Sequence, residues 1–157
     1  MQVPFKLLIL DVDGVMTDGG MYYTESGDEF KKFNTKDGLG IQRAVKQMGL
    51  KVGLISNGHL QALIQKRAQL LGIEYCYVGP QRKLEVLQQW CTELNLALTD
   101  VAYIGDDVND LECMSQVVCA ACPADAVAAI KAVAHVTLKL KGGEGCVREF
   151  LEMFYTI

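Results

Sequence analysis

Leu7-Leu8-Ile9-Leu10-Asp11-Val12-Asp13-Gly14-Val15 is an apolar run that closes on two acids. Side chains alternate along a strand, so Asp11 and Asp13 face the same side, just past its carboxyl end. Two carboxylates on one side repel each other, and water alone relieves that poorly. A divalent cation with oxygen ligands neutralises them, and Mg²⁺ is the usual ion where phosphates are handled. Solvated acids at a strand end are the bland alternative, so this motif is weighed with the rest of the chain.

Two further runs end in the same way. Lys51-Val52-Gly53-Leu54-Ile55 leads into Ser56-Asn57-Gly58, and Val101-Ala102-Tyr103-Ile104 leads into Gly105-Asp106-Asp107-Val108-Asn109-Asp110. Between them Lys83 opens an amphipathic stretch that continues from Leu84 to Leu94. In open α/β sheets ligands bind outside the carboxyl ends of the strands, so these residues can converge on one crevice. An acid-rich helix N-terminus, favoured by the dipole, accounts for one or two of Asp106, Asp107 and Asp110. It does not account for three acids behind a strand that ends in glycine.

The composition agrees with one globular domain. The chain has 157 residues, half of them hydrophobic, enough for a substantial core and too apolar for disorder. A net charge of −4 argues against nucleic acid or an anionic membrane as the main partner. The run Leu7–Leu10 is too short to span a bilayer and lacks the small-residue cleavage site of a signal peptide. A cytoplasmic location is the expectation. Six cysteines show no disulfide spacing, and the Cys119-x-x-Cys122 pair lacks the second pair or histidines that zinc requires.

Strand-like and helical runs alternate, which implies a parallel sheet covered by helices. Strands are predicted near 6–12, 51–56, 74–79, 101–105, 117–121 and 135–139, and helices near 38–48, 60–71, 82–95, 108–115, 124–132 and 144–155. Gly49 and Gly72 fit left-handed helix caps, and Thr99 and Asp125 fit local turns or caps. Gly19 to Phe33 breaks the alternation and reads as a β-hairpin turning at Glu25–Asp28. Its Met21, Tyr22 and Tyr23 suit either an oligomer contact or packing onto the chain's own core.

The four motifs, in this order and spacing, resemble the haloacid dehalogenase superfamily, and the resemblance spans nearly the whole chain. It implies a Rossmann-like three-layer α/β fold with a hairpin flap after the first strand and no large cap domain. It also implies a Mg²⁺-dependent phosphatase. Asp11 is then the nucleophile that forms an aspartyl phosphate, and Asp13 the general acid and base. Ser56 binds a phosphate oxygen and Lys83 neutralises charge. Asp11, Asp106 and the backbone oxygen of Asp13 hold the metal, with Asp107 and Asp110 behind them acting through water.

A narrower resemblance rests on Phe33-Asn34-Thr35-Lys36-Asp37-Gly38, Lys66-Arg67-Ala68, the Ala102–Asp107 block and Gly142-Gly143-Glu144-Gly145-Cys146-Val147-Arg148-Glu149. These segments look like the capless 3-deoxy-D-manno-octulosonate 8-phosphate phosphatases of lipopolysaccharide biosynthesis and their nonulosonate 9-phosphate relatives. The likeness implies a homotetramer and a phosphorylated sugar acid held by Asn34, Thr35, Lys36, Asp37, Gly38 and Arg67. Arginine suits a carboxylate because its planar fork binds both oxygens. Arg148 and the Gly142-Gly143 turn either reach a neighbour's site or cap the last helix. After the second-motif Ser or Thr, octulosonate phosphatases have Gly-Arg and a nonulosonate group has Gly-Glu. This chain has Asn57-Gly58-His59 instead, one residue longer, so the length of the sugar stays open.

Other classes fit less well. A receiver domain carries its acceptor aspartate on the third strand and its lysine after the fifth, unlike Asp11 and Lys83. A non-catalytic oligomerisation domain that partners a sugar-activating enzyme has no need of the complete acid set. A sugar phosphomutase lacks a cap here to hold a reorienting bisphosphate.

Overall fold

The computed structural model describes residues 5–156. Its main sheet has six parallel strands: β1 (Leu7–Leu10), β4 (Lys51–Ser56), β5 (Tyr75–Val78), β6 (Val101–Ile104), β7 (Cys119–Cys122) and β8 (Val136–Thr137). β2 (Tyr22–Tyr23) and β3 (Glu29–Phe30) form the separate antiparallel hairpin. The helices are α1 (Thr35–Met48), α2 (Gln61–Leu71), α3 (Lys83–Leu94), α4 (Leu111–Met114), α5 (Ala128–Val133) and α6 (Cys146–Glu152). This is the three-layer α/β arrangement expected from the alternation of runs.

Strand order β5-β4-β1-β6-β7-β8 puts β1 at the centre, paired with β4 on one side and β6 on the other. All four of its residues are fully buried, as a strand covered on both faces must be. Leu8 and Leu10 point into a core shared with Ile41 and Ala44 of α1, Ile64 and Leu71 of α2, and Val147 and Phe150 of α6. Leu7 and Ile9 point the other way, onto Leu84, Leu87 and Trp90 of α3, Met114 of α4 and Ile130 of α5. The chain leaves β1 toward β4 and β5, then returns to build β6 to β8 on the other side. That reversal opens a crevice at the carboxyl end of β1.

The ends of the elements follow local chemistry. Asn34 caps α1 by accepting from the N–H groups of Lys36 (2.8 Å) and Asp37 (3.4 Å). Gly49 and Gly72 cap α1 and α2 in the left-handed conformation, as expected. The helix expected over 108–115 is instead a tight turn at Val108–Asp110 followed by the single turn of α4. The carboxylate of Asp110 folds back onto the N–H groups of Asp106 and Asp107, which draws the chain into that turn. α5 starts at Ala128 rather than 124, because Pro123 opens a turn closed by the Ala126 N–H. Thr99 sits in the turn before β6, as expected, and Asp100 closes that turn by accepting from the Ala97 N–H. Asp125 lies in a turn, as expected, and its carboxylate also makes a distant contact, accepting from the N–H of Gly142 at 3.0 Å. All six cysteines are free thiols, with Cys119 and Cys122 buried in β7.

The Gly142-Gly143 turn packs on its own chain, behind the turn that carries Asp13 and Gly14. Gly143 donates its N–H to the Val15 carbonyl at 3.0 Å. A methyl group on Gly142 would lie 1.9 Å from the Gly14 oxygen and 2.9 Å from that of Thr17. These are backbone atoms with no room to yield. Gly142→Ala should therefore cost about 1–3 kcal/mol of stability through overpacking, read as a lower urea midpoint. An unchanged midpoint would contradict this packing.

Candidate active site

Four elements deliver the motif residues to one place. Asp11 follows β1 directly, Ser56 is the last residue of β4, Asp106 follows β6 by one residue, and Lys83 opens α3. Asp11, Ser56 and Asp106 line a pocket of about 360 Å³ together with Asp13, Gly19, Asn57, Gly58, Asp107 and Asn109, and Lys83 reaches it through its bond to Asp11. The Ser56 hydroxyl is buried and accepts from the Gly58 N–H at 3.0 Å.

A buried ion network forms the floor. Lys83 Nζ donates to Asp11 Oδ1 and Asp110 Oδ1, each at 2.7 Å. Asp110 Oδ1 also accepts from the Tyr103 hydroxyl at 2.7 Å, and its Oδ2 accepts from the N–H groups of Asp106 and Asp107. Burial holds the Asp11 carboxyl well above the ordinary range, the Asp110 charge adds to this, and Lys83 draws it back. Burial pulls the Lys83 ammonium down, but Asp11 and Asp110 outweigh it and the net shift is upward. Burial also pushes Asp106 up to about 6, with Asp110 and Asp107 adding to it. The site therefore gathers more negative charge than one lysine can offset.

The carboxylates fit a hard cation. Asp11, Asp106 and Asp110 each bring an oxygen within 4.8 Å of the others. Asp110 already receives four protein donors on its two oxygens, which fills its accepting capacity. Its expected action through water is therefore corrected: it works by direct contact with Lys83, Tyr103 and the backbone. Asp106 Oδ1, in contrast, is buried with no hydrogen-bond partner. Gly14, at φ +87°, makes room for it, since a side chain there would lie 2.0 Å from Asp106 Oδ2. An orphaned carboxylate oxygen beside a second carboxylate is what an all-oxygen Mg²⁺ site offers.

A family model of haloacid dehalogenase-like hydrolases matches residues 37–117. The 3-deoxy-D-manno-octulosonate 8-phosphate phosphatase KdsC of Yersinia pestis is 40% identical over 148 residues, covering 94% of this chain and 78% of that protein. The chain belongs to this phosphatase family of haloacid dehalogenase-like hydrolases. The KdsC of Escherichia coli K12 is 37% identical over the same span, with the same coverage. The solved structure of the octulosonate 8-phosphate phosphatase from Moraxella catarrhalis, in complex with magnesium, phosphate and KDO, superposes with a TM-score of 0.90. It is 35% identical, covering 95% of this chain and 84% of that one. The chain is thus a phosphatase with Mg²⁺ as its cofactor, and its orphaned Asp106 oxygen agrees with that.

The residues expected to hold the sugar acid are not gathered at the phosphatase's own pocket. Asn34 spends its oxygen on the α1 cap and its amide on the Gly143 carbonyl at 3.1 Å. Asp37 is buried under α6 and accepts from the Arg148 N–H at 2.8 Å. Burial pushes its carboxyl up to about 6, against the pull of the N–H groups of Arg148, Gly145 and Val147. Arg67 lies over the Phe33 ring, 5.2 Å from its centre, and donates to the Asn34 carbonyl at 3.4 Å. Gly38 is buried in α1, while Thr35 and Lys36 are exposed at its start. The side chains of Asn34, Asp37 and Arg67 therefore hold α1 to α2 and α6 within this chain.

Three contributors were not singled out from the sequence. Asn57 clasps the rim: its amide donates to the carbonyls of Gly79 (2.8 Å) and Gln81 (3.1 Å), and its oxygen accepts from Asn109. Tyr103 reads as one more apolar strand residue until its hydroxyl is seen on Asp110. Lys31 leaves the hairpin to meet Asp13 at 2.6 Å; the two-residue alternation that exposes Phe30 and turns Glu29 and Lys31 inward was its available signal.

Exhaustive chelation should abolish turnover, and Mg²⁺ should restore it. Ca²⁺ should inhibit, because its larger and looser shell spoils in-line geometry. Mg²⁺ should also raise Tm, by about 2.7 kcal/mol of linkage at a hundredfold excess over Kd, and Asp106→Asn should shrink that rise. Full turnover after chelation, or an undiminished rise in the variant, would contradict the Asp106 site.

Proposed function

We propose that this phosphatase hydrolyses a phosphorylated 3-deoxy-2-keto sugar acid, 3-deoxy-D-manno-octulosonate 8-phosphate, through an aspartyl phosphate on Asp11. The observation that carries the chemistry is the placement of Asp11: buried on the pocket floor, with one oxygen fixed by Lys83 and β1 rigid behind it. The substrate is supported by the relatives' activity and by the KDO bound in the Moraxella structure.

A phosphate monoester resists attack because its oxygens repel a nucleophile, so the site must neutralise charge and align the reacting atoms. When bound at Asp11, Asp106 and the backbone oxygen of Asp13, Mg²⁺ supplies charge neutralisation at the phosphoryl oxygens. Asp11 attacks phosphorus with its remaining oxygen and takes the phosphoryl group. Ser56 donates its hydroxyl to a phosphoryl oxygen, and Lys83 offsets the charge on the acyl phosphate. Asp13 protonates the departing sugar oxygen and then takes a proton from the water that cleaves the intermediate. Asp110 keeps Lys83 in place, while Asp107 caps the turn at Val108 through its own carboxylate (2.7 Å). Asp107 stands at the pocket rim.

The proposal includes a homotetramer, with the Gly19 to Phe33 hairpin at the interface. Met21, Tyr23 and Phe30 are 70%, 54% and 50% exposed, apolar surface that association would cover. Thr35 and Lys36, exposed at the start of α1, then lie on the surface that a neighbour's substrate could meet.

Comparison of kcat/KM over phosphorylated sugar acids of eight and nine carbons tests the substrate. The eight-carbon acid should be preferred; a preference for the nine-carbon acid would move the chain to the nonulosonate reading. Asp11→Asn should lower kcat by orders of magnitude with little change in Tm, because the amide oxygen still accepts from Lys83. Retention of more than about a tenth of kcat would overturn the nucleophile assignment. Charged substitutions at Met21 and Tyr23 should dissociate the tetramer in light scattering and raise KM; a fully active wild-type monomer would refute the assembly.

A further inference from the structure

Lys31 is almost wholly enclosed, with its side chain 7% exposed, although it sits on a surface hairpin. Its Nζ donates to Asp13 Oδ1 at 2.6 Å. On its other side stands Glu29 Oε1 at 3.7 Å, and the second oxygen of Glu29 bonds His59 Nε2 at 2.8 Å. His59 follows Gly58, so Lys31 is backed by a carboxylate that is itself tied to the loop after β4. The second oxygen of Asp13 faces elsewhere. A methyl group built on Gly58 would lie 3.1 Å from Asp13 Oδ2 and 3.1 Å from the Ser56 hydroxyl. Oδ2 therefore looks across Gly58 toward the side of the pocket where Ser56 stands.

We propose that Lys31 is a positioning residue that clamps Oδ1 of Asp13 and so aims Oδ2 at the leaving oxygen of the substrate. This rests on the reading of Asp13 as the general acid. An ammonium only donates, so Oδ1 is held as an acceptor and Oδ2 is the oxygen left to face the substrate. As the ester bond breaks, phosphorus passes to Asp11 and the Oδ2 proton passes to the departing oxygen. Asp13 is left as a carboxylate, still paired with Lys31. The water that later cleaves the acyl phosphate returns a proton to Oδ2. The hairpin has anchors of its own: Tyr22 donates to Asp18 at 2.5 Å, stacks on Phe30 at 5.3 Å, and Lys32 pairs with Asp18 at 3.3 Å. Loss of Lys31 thus frees the Asp13 carboxylate without releasing the hairpin.

The test uses the dependence on leaving group. p-Nitrophenyl phosphate expels a phenolate that needs no proton, whereas a primary sugar phosphate expels an alkoxide that does. Because kcat/KM reports the steps up to transfer onto Asp11, Lys31→Met should lower it for the sugar phosphate by about tenfold or more. It should stay within about threefold for the aryl ester. Lys31→Arg, which keeps a donor at that place, should recover most of the loss on the sugar phosphate. Asp13→Asn should show the same selectivity in stronger form. Equal losses on both esters, or no loss on either, would overturn the Lys31 proposal while leaving Asp13 in its role if Asp13→Asn still discriminates. An Asp13→Asn enzyme that does not discriminate would overturn both. Should Lys31→Met fail to fold by circular dichroism, Lys31→Gln carries the same comparison.

Discussion

A single ammonium group, Nζ of Lys83, stands 2.7 Å from both Asp11 and Asp110 and ties the ends of β1, β6 and α3 to one point. Its side chain is 1% exposed and those of its partners 7% and 0%. Removal of the lysine from such a buried site typically costs about 3–5 kcal/mol, because the carboxylates are left without their partner charge. The cost of burying these charges is met only when every donor and acceptor is used, and Asp110 meets that demand with Lys83, Tyr103 and two backbone N–H groups. Asp11 and Asp106 depart from it. Asp11 keeps an oxygen beyond the one on Lys83, and Asp106 keeps an orphaned one. A cation would offset that imbalance.

The hairpin answers how a chain with no cap covers its pocket. Glu29 and Lys31 turn in toward His59 and Asp13, and Gly19 lines the pocket, so the root of the hairpin closes the site from the same chain. Met21, Tyr23 and Phe30 are exposed all the same, Tyr23 opposite Glu29 in the register and Phe30 opposite Tyr22. Packing onto its own site and offering an apolar surface are thus both compatible with one hairpin.

What the sequence made legible was whatever depends on local chemistry. The strand ending in Asp11, the lysine at the start of α3, the glycine caps of α1 and α2 and the parallel order all follow from alternation, apolar runs and turn residues. The corner where the four motifs meet was visible because they stand at the ends of predicted elements. Residues whose roles depend on contacts far along the chain were not. Lys31 and Asp13 are 18 residues apart, Arg148 and Asp37 are 111 apart, and no local pattern reports such pairs. The likeness that points to Asn34, Asp37 and Arg67 as substrate residues says nothing of their neighbours in the chain. In the fold those side chains meet Gly143, α6 and Phe33. Asn57 shows the same limit: beside the second motif, it clasps two loops through its amide.

The account turns on Asp11 as the atom donor to phosphorus. Borohydride added during steady turnover reduces an acyl phosphate to an alcohol, converting the modified aspartate to homoserine, which peptide mass spectrometry locates. The account predicts homoserine at position 11, appearing only when substrate is present. Homoserine at another acid of the site, or turnover that leaves no reducible aspartate, would contradict it.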